Sequence, residues 1–250
     1  MVKANPTAAI IIIGNEILSG RTVDKNINFI AKELDELGIS LLEVRIVPDV
    51  KKEIIEAVNA LRRRFTYVFT SGGIGPTHDD ITSASIAEAL ETKLTCNPDV
   101  LKMLQQYYEG QKGVEMNDSR MKMAYIPEGA SLISNKISIA PGFVFQNVYV
   151  MAGIPEIMQC MFEFIKPMLI GGKIMVSKEM TFYLSEGDIA HVLAYEEERH
   201  DGMVNIGSYP FFNVKDKNGT NIVIRSTNQE LIEEVSNSIS SSVETIIANK

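Results

Sequence analysis

Cysteine is scarce. Cys96 and Cys160 alone occur among 250 residues, in different segments and in apolar surroundings. Neither belongs to a Cys-x-x-Cys pair, which argues against structural zinc and for buried free thiols in a reducing compartment. Histidine is nearly as rare. His78 stands alone in the first half, far from His191 and His200, so no pair supports a metal centre or a catalytic triad. A serine-centred nucleophile elbow is missing, and covalent acyl chemistry loses its support. Positive charge is in deficit: the formal net charge is −8, with no basic excess to neutralise nucleic-acid phosphates. Long apolar runs are absent as well, since Ala8 to Ile13 is too short for a membrane span or a signal peptide. These gaps lead us to expect a cytoplasmic protein with no membrane or nucleic-acid partner.

What is present is an ordinary globular composition, 45% hydrophobic and 22% charged, on a chain long enough to bury a real core. The first part alternates strand and helix signals. Ala8 to Ile13 reads as a strand covered on both faces. Val23, Ile27, Ile30, Leu34 and Leu37 step by four and three along one helical face, which Gly38 terminates. Ile39 to Val47 reads as a second strand. Asp49 is placed to cap a helix whose inner face is Val50, Ile54, Val58 and Leu61. Arg62, Arg63 and Arg64 close that helix as a solvated basic end. Tyr67 to Thr70 is a third buried strand, followed by a glycine-rich loop and a short helix through Ile86, Ala87 and Leu90. Such alternation predicts βαβ units and a mostly parallel sheet, with ligands beyond the carboxyl ends of the strands. Gly14-Asn15-Glu16 and the Gly72–Asp80 loop both follow strands, so both belong on that edge.

Further on, Asn97-Pro98 starts a helix running to about Gly110. Pro127-Glu128-Gly129 is a turn, Phe143 to Met151 a strand or a hairpin bent near Gln146-Asn147. Gly153-Ile154-Pro155 opens a helix carrying Met158, Met161, Phe162, Ile165 and Met168, methionines that read as core filler. Gly171-Gly172 marks the expected boundary between a main domain, residues 1–170, and a small βαββα domain, residues 171–250. The small domain reads as a strand from Ile174 to Leu184, a helix capped by Ser185 with Asp188, and two strands meeting at an Asn218-Gly219 turn. Thr227-Asn228-Gln229-Glu230 is a capping box before the last helix.

The chemistry concentrates in Ser71-Gly72-Gly73-Ile74-Gly75-Pro76-Thr77-His78-Asp79-Asp80. Gly72, Gly73 and Gly75 permit positive φ and close approach to the backbone, so successive N–H groups can cradle an anion. The loop is neither a P-loop nor GxGxxG. Carboxylates at Asp79 and Asp80 repel a phosphate unless a cation bridges them, and Mg²⁺ commonly takes one or two carboxylates together with ligand phosphates. The plainer alternative is that both aspartates cap a helix beginning near Ile81. His78 reads as a polar loop residue.

Gly14-Asn15-Glu16-Ile17-Leu18-Ser19-Gly20 resembles the GTELLxG motif, and Gly72 to Thr82 the GGxGPTxDDxT motif, of the molybdopterin-binding domain family. That domain occurs in competence/damage-inducible protein A and at the N-terminus of eukaryotic FAD synthase. Further matches follow in order: Asn117 and Arg120, Ile126 to Ala130, Ala140 to Phe143, and Asn147 to Val150 leading into Gly153 to Met158. Gly207 to Pro210 resembles the FAD synthase domain. The chain departs from the commonest pattern at Asn15, where threonine is usual, and at Ala152-Gly153, where proline often precedes the glycine. The resemblance implies a three-layer, mostly parallel α/β domain like the molybdenum-cofactor biosynthesis proteins, usually a homo-oligomer, beside a smaller α+β domain.

It also implies a small phosphorylated ligand: a nucleotide, a dinucleotide or a pterin such as molybdopterin. One implied activity is cleavage of the diphosphate of FAD or ADP-ribose with Mg²⁺ or a similar ion. In that scheme Asp79 and Asp80 hold the metal, and Glu16 orients the attacking water. Gly72, Gly73, Gly75 and Pro76 form the cradle, while Asn15, Asn26, Thr77, Thr82, Asn117 and Arg120 contact phosphate or ribose. Gly153, Pro155 and Glu156 shape the opposite wall. The alternatives are a module that binds molybdopterin or a nucleotide without turning it over, and adenylyl transfer onto a pterin.

Overall fold

The computed structural model describes residues 5–110, 115–214 and 217–249. By its internal contacts the chain divides into two units, residues 1–172 and 173–250.

In the first unit, β1 (Thr7–Ile13) leads through the short α1 (Asn15–Leu18) to α2 (Asn26–Glu36), β2 (Ser40–Val47), α3 (Lys51–Arg62) and β3 (Tyr67–Ser71). Then come α4 (Thr82–Ala89), β4 (Leu94–Cys96), α5 (Pro98–Glu109), α6 (Asp118–Met121), β5 (Tyr125–Pro127) and β6 (Ser131–Ile133). A hairpin of β7 (Gly142–Phe145) and β8 (Val148–Met151) precedes α7 (Pro155–Ile165). The main sheet has six strands in the order β2-β1-β3-β8-β7-β6. β2, β1, β3 and β8 pair in parallel, while β7 is antiparallel to both β8 and β6.

The isoleucine run explains the layering. Side chains alternate along a strand, and in β1 Ala9, Ile11 and Ile13 pack with Ile54, Val58 and Leu61 of α3 and Ile86 of α4. Ala8, Ile10 and Ile12 face the other way, onto Ile30 and Leu34 of α2 and Met158, Met161 and Phe162 of α7. Each buried isoleucine contributes roughly 1.5–3 kcal/mol, so this one strand anchors both helical layers. The methionines at 158 and 161 are core, whereas Met168 lies beyond α7 and is exposed.

Several local expectations shift. The second helix begins at Asn26, not Val23, because Asp24 Oδ1 accepts the N–H of Ile27 and sets the start there; Val23 is 81% exposed. Gly38 ends it at φ +66°. Asp49 does not cap α3, whose N-cap is Val50 without a side-chain bond, and Val50 lies exposed. Both cysteines are free but only partly buried.

The second unit is β9 (Val176–Phe182), α8 (Glu186–Arg199), β10 (Asn205–Val214), β11 (Lys217–Ser226) and α9 (Gln229–Ala248). Its antiparallel sheet runs β10-β11-β9, and Ile222 and Ile224 pack against Ile189, Ile232, Val235 and Ile239 of the two helices. The Ser185/Asp188 capping box is present. Asn218-Gly219 is not the turn; both residues lie inside β11, where Gly219 pairs with Phe211. Asn228, not Thr227, caps α9 by accepting from Glu230 and Leu231. Among the described residues no helix is long and apolar enough to cross a membrane.

Candidate functional site

From β1 the chain moves first to β2 on one side, then to β3 on the other. Loops leaving β1 and β3 therefore diverge, and a crevice opens at the carboxyl ends of the strands. β8 lies beside β3, so three loops meet there: Gly14–Gly20, Gly72–Asp80 and Ala152–Pro155.

Close packing holds these loops. Gly72 has φ +114°, and a Cβ there would overlap the carbonyl of Ile13; its N–H donates to Met151 O at 3.1 Å. A Cβ on Gly153 would lie 3.2 Å from the Cα of Gly72. Thr82, fully buried, donates from Oγ1 to Gly72 O at 2.9 Å, and its own N–H donates to Gly73 O at 2.9 Å. Asn26 is buried too, its Nδ2 donating to Ser71 Oγ and to Gly153 O, each at 2.8 Å. These contacts brace the strand ends against α2 and α4.

The tip of the second loop is acidic. Thr77 N–H donates to Asp80 Oδ2 at 2.8 Å, and Thr77 Oγ1 lies 2.5 Å from both Asp79 Oδ1 and Asp80 Oδ2. One hydroxyl carries one proton, so only one of those short contacts is a hydrogen bond at a time and the other sets two oxygens against each other. The Thr77 hydroxyl, with smaller help from His78 and Lys122, holds the Asp79 carboxyl below the usual range. Lys122 Nζ donates to Thr77 O at 2.7 Å. Neither aspartate caps the following helix: the N-cap of α4 is Ile81, with no side-chain bond.

The loops border an open cavity of about 590 Å³, within the usual range for a small-molecule site. Of the site residues named from the sequence, Glu16, Gly72, Gly73, Gly75, Pro76, Thr77, Asp79, Asp80, Gly153 and Pro155 border it. Asn15, Asn26, Thr82, Asn117, Arg120 and Glu156 are not among its described lining residues. Asn15 is held through its backbone by Asp49. Thr82 Oγ1 and Asn26 Nδ2 make the bracing bonds above, while Asn26 Oδ1 is buried with no described partner. Asn117 caps α6 by accepting from Arg120 N, and Glu156 sits in the first turn of α7. The Arg120 guanidinium lies over the Tyr108 ring, 4.8 Å from its centroid.

Sequence reasoning misses other lining residues, among them Asp49, Tyr108, Met123 and Ser138. Asp49 follows β2 and so belongs on the carboxyl edge, a signal that was available. Tyr108 and Met123 lie on a helical excursion outside the main sheet, and no local pattern marks them.

Among the described residues no group of three or more His, Cys, Asp or Glu is gathered to hold a metal unaided. Asp79 and Asp80 nevertheless suit a hard divalent cation that completes its shell with ligand phosphates and water. Two carboxylate oxygens crowded on one hydroxyl form a donor set that a cation would relieve.

Residues 9–170 match the model of the probable molybdopterin binding domain. The chain belongs to that family. Residues 174–250 match the FAD synthase middle domain. The chain is 37% identical over 169 residues to a protein of Pyrobaculum calidifontis, covering 66% of this chain and 64% of that one. It is 34% identical over 219 residues to a protein of Pyrococcus horikoshii, covering 81% and 86%. It spans less than two thirds of the Pyrobaculum calidifontis protein and, at 61%, of a Metallosphaera sedula relative. Among solved structures it is similar to the CinA protein of unknown function from Thermoplasma acidophilum, with 33% identity and a TM-score of 0.60, over 65% of this chain and 96% of that one. The family and the α/β fold expected from Gly14–Gly20 and Gly72–Thr82 are thus borne out.

Proposed function

We propose that the chain is a divalent-metal-dependent pyrophosphatase that cleaves the diphosphate of a nucleotide such as ADP-ribose or FAD. The observation that carries this reading is the crowding of Asp79 and Asp80 on the Thr77 hydroxyl, beside the glycine turn and inside the cavity that also holds Glu16. A divalent ion bound by Asp79 and Asp80 would supply charge neutralisation for the diphosphate and a water of lowered pKa. The backbone of Gly73, Ile74 and Gly75 would hold a phosphate, since the N–H of Gly72 is already bonded to Met151. Glu16 would take the proton of the attacking water. Lys122, tied to the carbonyl of Thr77, would place positive charge next to the same loop.

The test is turnover of ADP-ribose and FAD with Mg²⁺, with Co²⁺ and with chelator, for the native chain and for Asp80→Asn. Release of AMP that needs the metal and falls about a hundredfold or more in the variant supports the reading. Turnover that survives chelator overturns it. Binding of a nucleotide or of molybdopterin with no product over long incubation favours the module that binds without catalysis. Consumption of ATP only when a pterin is present identifies adenylyl transfer.

A further inference from the structure

The cavity has a second wall that no part of the diphosphate scheme uses. Tyr108, near the end of α5, borders it together with Met123 and Ala140. Tyr108, Met123 and Ala140 pack on the same apolar cluster, whose buried members are Val100, Leu104 and Ala124. The wall is therefore built on a core of its own.

The Tyr108 ring is held from two sides. The Arg120 guanidinium lies 4.8 Å from the ring centroid, and its Nη1 donates to the carbonyl of Glu115. Tyr107 meets the ring nearly edge-on, with centroids 5.2 Å apart and an interplanar angle of 74°. Tyr108 borders the cavity, and Arg120 is not among the described residues that do. A guanidinium on an aromatic face draws on its negative quadrupole, and aromatic rings pair in offset or edge-to-face geometry.

One cavity thus joins an ionic wall, Thr77 to Asp80, to an aromatic and apolar one. A ligand complementary to both carries a diphosphate at one end and a flat heterocycle at the other. We infer that Tyr108, backed by Arg120 and flanked by Met123, is the subsite for the planar heteroaromatic ring of a nucleotide. This deepens the proposed function by assigning the subsite for the nucleotide's ring, and it rests on a diphosphate occupying the glycine loop but not on its being cleaved. Sugar diphosphates without a base, and pyrophosphate itself, leave this wall bare.

The chain contains no tryptophan, so Tyr108→Trp installs a single indole on that wall. With Mg²⁺ present, ADP and riboflavin 5′-phosphate are titrated against it, with pyrophosphate as the ringless control. The expected result is saturable quenching by at least one of the two ring-bearing probes and none by pyrophosphate. Calorimetry on the native chain, Tyr108→Phe and Tyr108→Leu supplies the second readout, with circular dichroism confirming that each is folded. Loss of the aromatic face in Tyr108→Leu should weaken the ring-bearing probe about tenfold, leave pyrophosphate unchanged, and be avoided in Tyr108→Phe. The inference is overturned if both ring-bearing probes bind the native chain no tighter than pyrophosphate, or if Tyr108→Leu weakens all probes alike. Failure to hydrolyse any diphosphate would sink the proposed activity while leaving this binding result intact.

Discussion

The carboxylate of Asp49 accepts the backbone N–H of Asn15 at 2.8 Å. The contact joins the segments leaving β2 and β1, and it fixes the turn that presents Glu16 to the cavity. Asp49→Ala should lower stability by about 1 kcal/mol in urea unfolding. It should lower metal-dependent turnover about tenfold or more, because Glu16 is no longer held in register. Asp49→Asn keeps an acceptor for Asn15 and should retain most of the stability. Equal activity in the native chain and Asp49→Ala would show that Glu16 does not depend on this anchor.

Gly20 and Gly73 share φ +71° but differ in surroundings. Nothing lies within 4 Å of a Cβ built on Gly20, whereas a Cβ on Gly73 would overlap Thr82 Oγ1. Gly20→Ala should cost only the left-handed backbone penalty, about 1–2 kcal/mol. Gly73→Ala should cost clearly more and abolish ligand binding, since Thr82 must give up its bond to Gly72. The two unfolding curves, measured side by side, decide it.

Thr82→Val removes the hydroxyl at nearly constant volume and leaves the Gly72 carbonyl without that donor. A destabilisation of about 1–3 kcal/mol is expected. If Thr82 only braces the loop, a stabilising osmolyte should restore ligand affinity. Affinity that stays low in fully folded protein would instead indicate direct contact with the ligand.

Glu43 accepts from Arg45 at 2.8 Å and from Arg64 at 2.7 Å, and the Arg45 bond is the main reason its carboxyl is held below the ordinary value of 4.5. A carboxylate with a lowered folded-state pKa contributes stability above its unfolded pKa and loses it as pH falls through the folded one. Glu43→Gln should therefore be less stable than the native chain near neutrality, by a small margin, and the gap should close as pH drops below 4.5. A gap independent of pH would refute the assignment.

Much of the scaffold was legible because its signals are local. The isoleucine run of β1, Gly38 behind α2, Asn97-Pro98 before α5 and the Ser185/Asp188 box all act within one turn or one strand. Where readings failed, a distant partner outcompeted a local preference. Asp49 has the chemistry of a helix cap, but Asn15 claims it. Asn218-Gly219 has the chemistry of a turn, but pairing with β10 draws it into a strand. At the site, the residue types around the loop were readable while their division of labour was not. The resemblance implies ligand contacts for Asn26 and Thr82; in the fold the Asn26 Nδ2 and the Thr82 hydroxyl also tie the strand ends together, while Asn26 Oδ1 is buried without a described partner. Tyr108 in α5 and Arg120 in α6 meet ring to guanidinium, a contact that no periodicity announces.

The near-touch of Gly153 and Gly72 has a bearing on engineering. Two loops that leave neighbouring strands so close that a Cβ on Gly153 would sit 3.2 Å from the Gly72 Cα, inside ordinary contact distance, behave as one interchangeable part. Grafting residues 71–80 from a relative while keeping the native 151–156 would pair surfaces that were never fitted to each other. Transplanting both segments together is the exchange that should carry a new ligand preference into this scaffold intact.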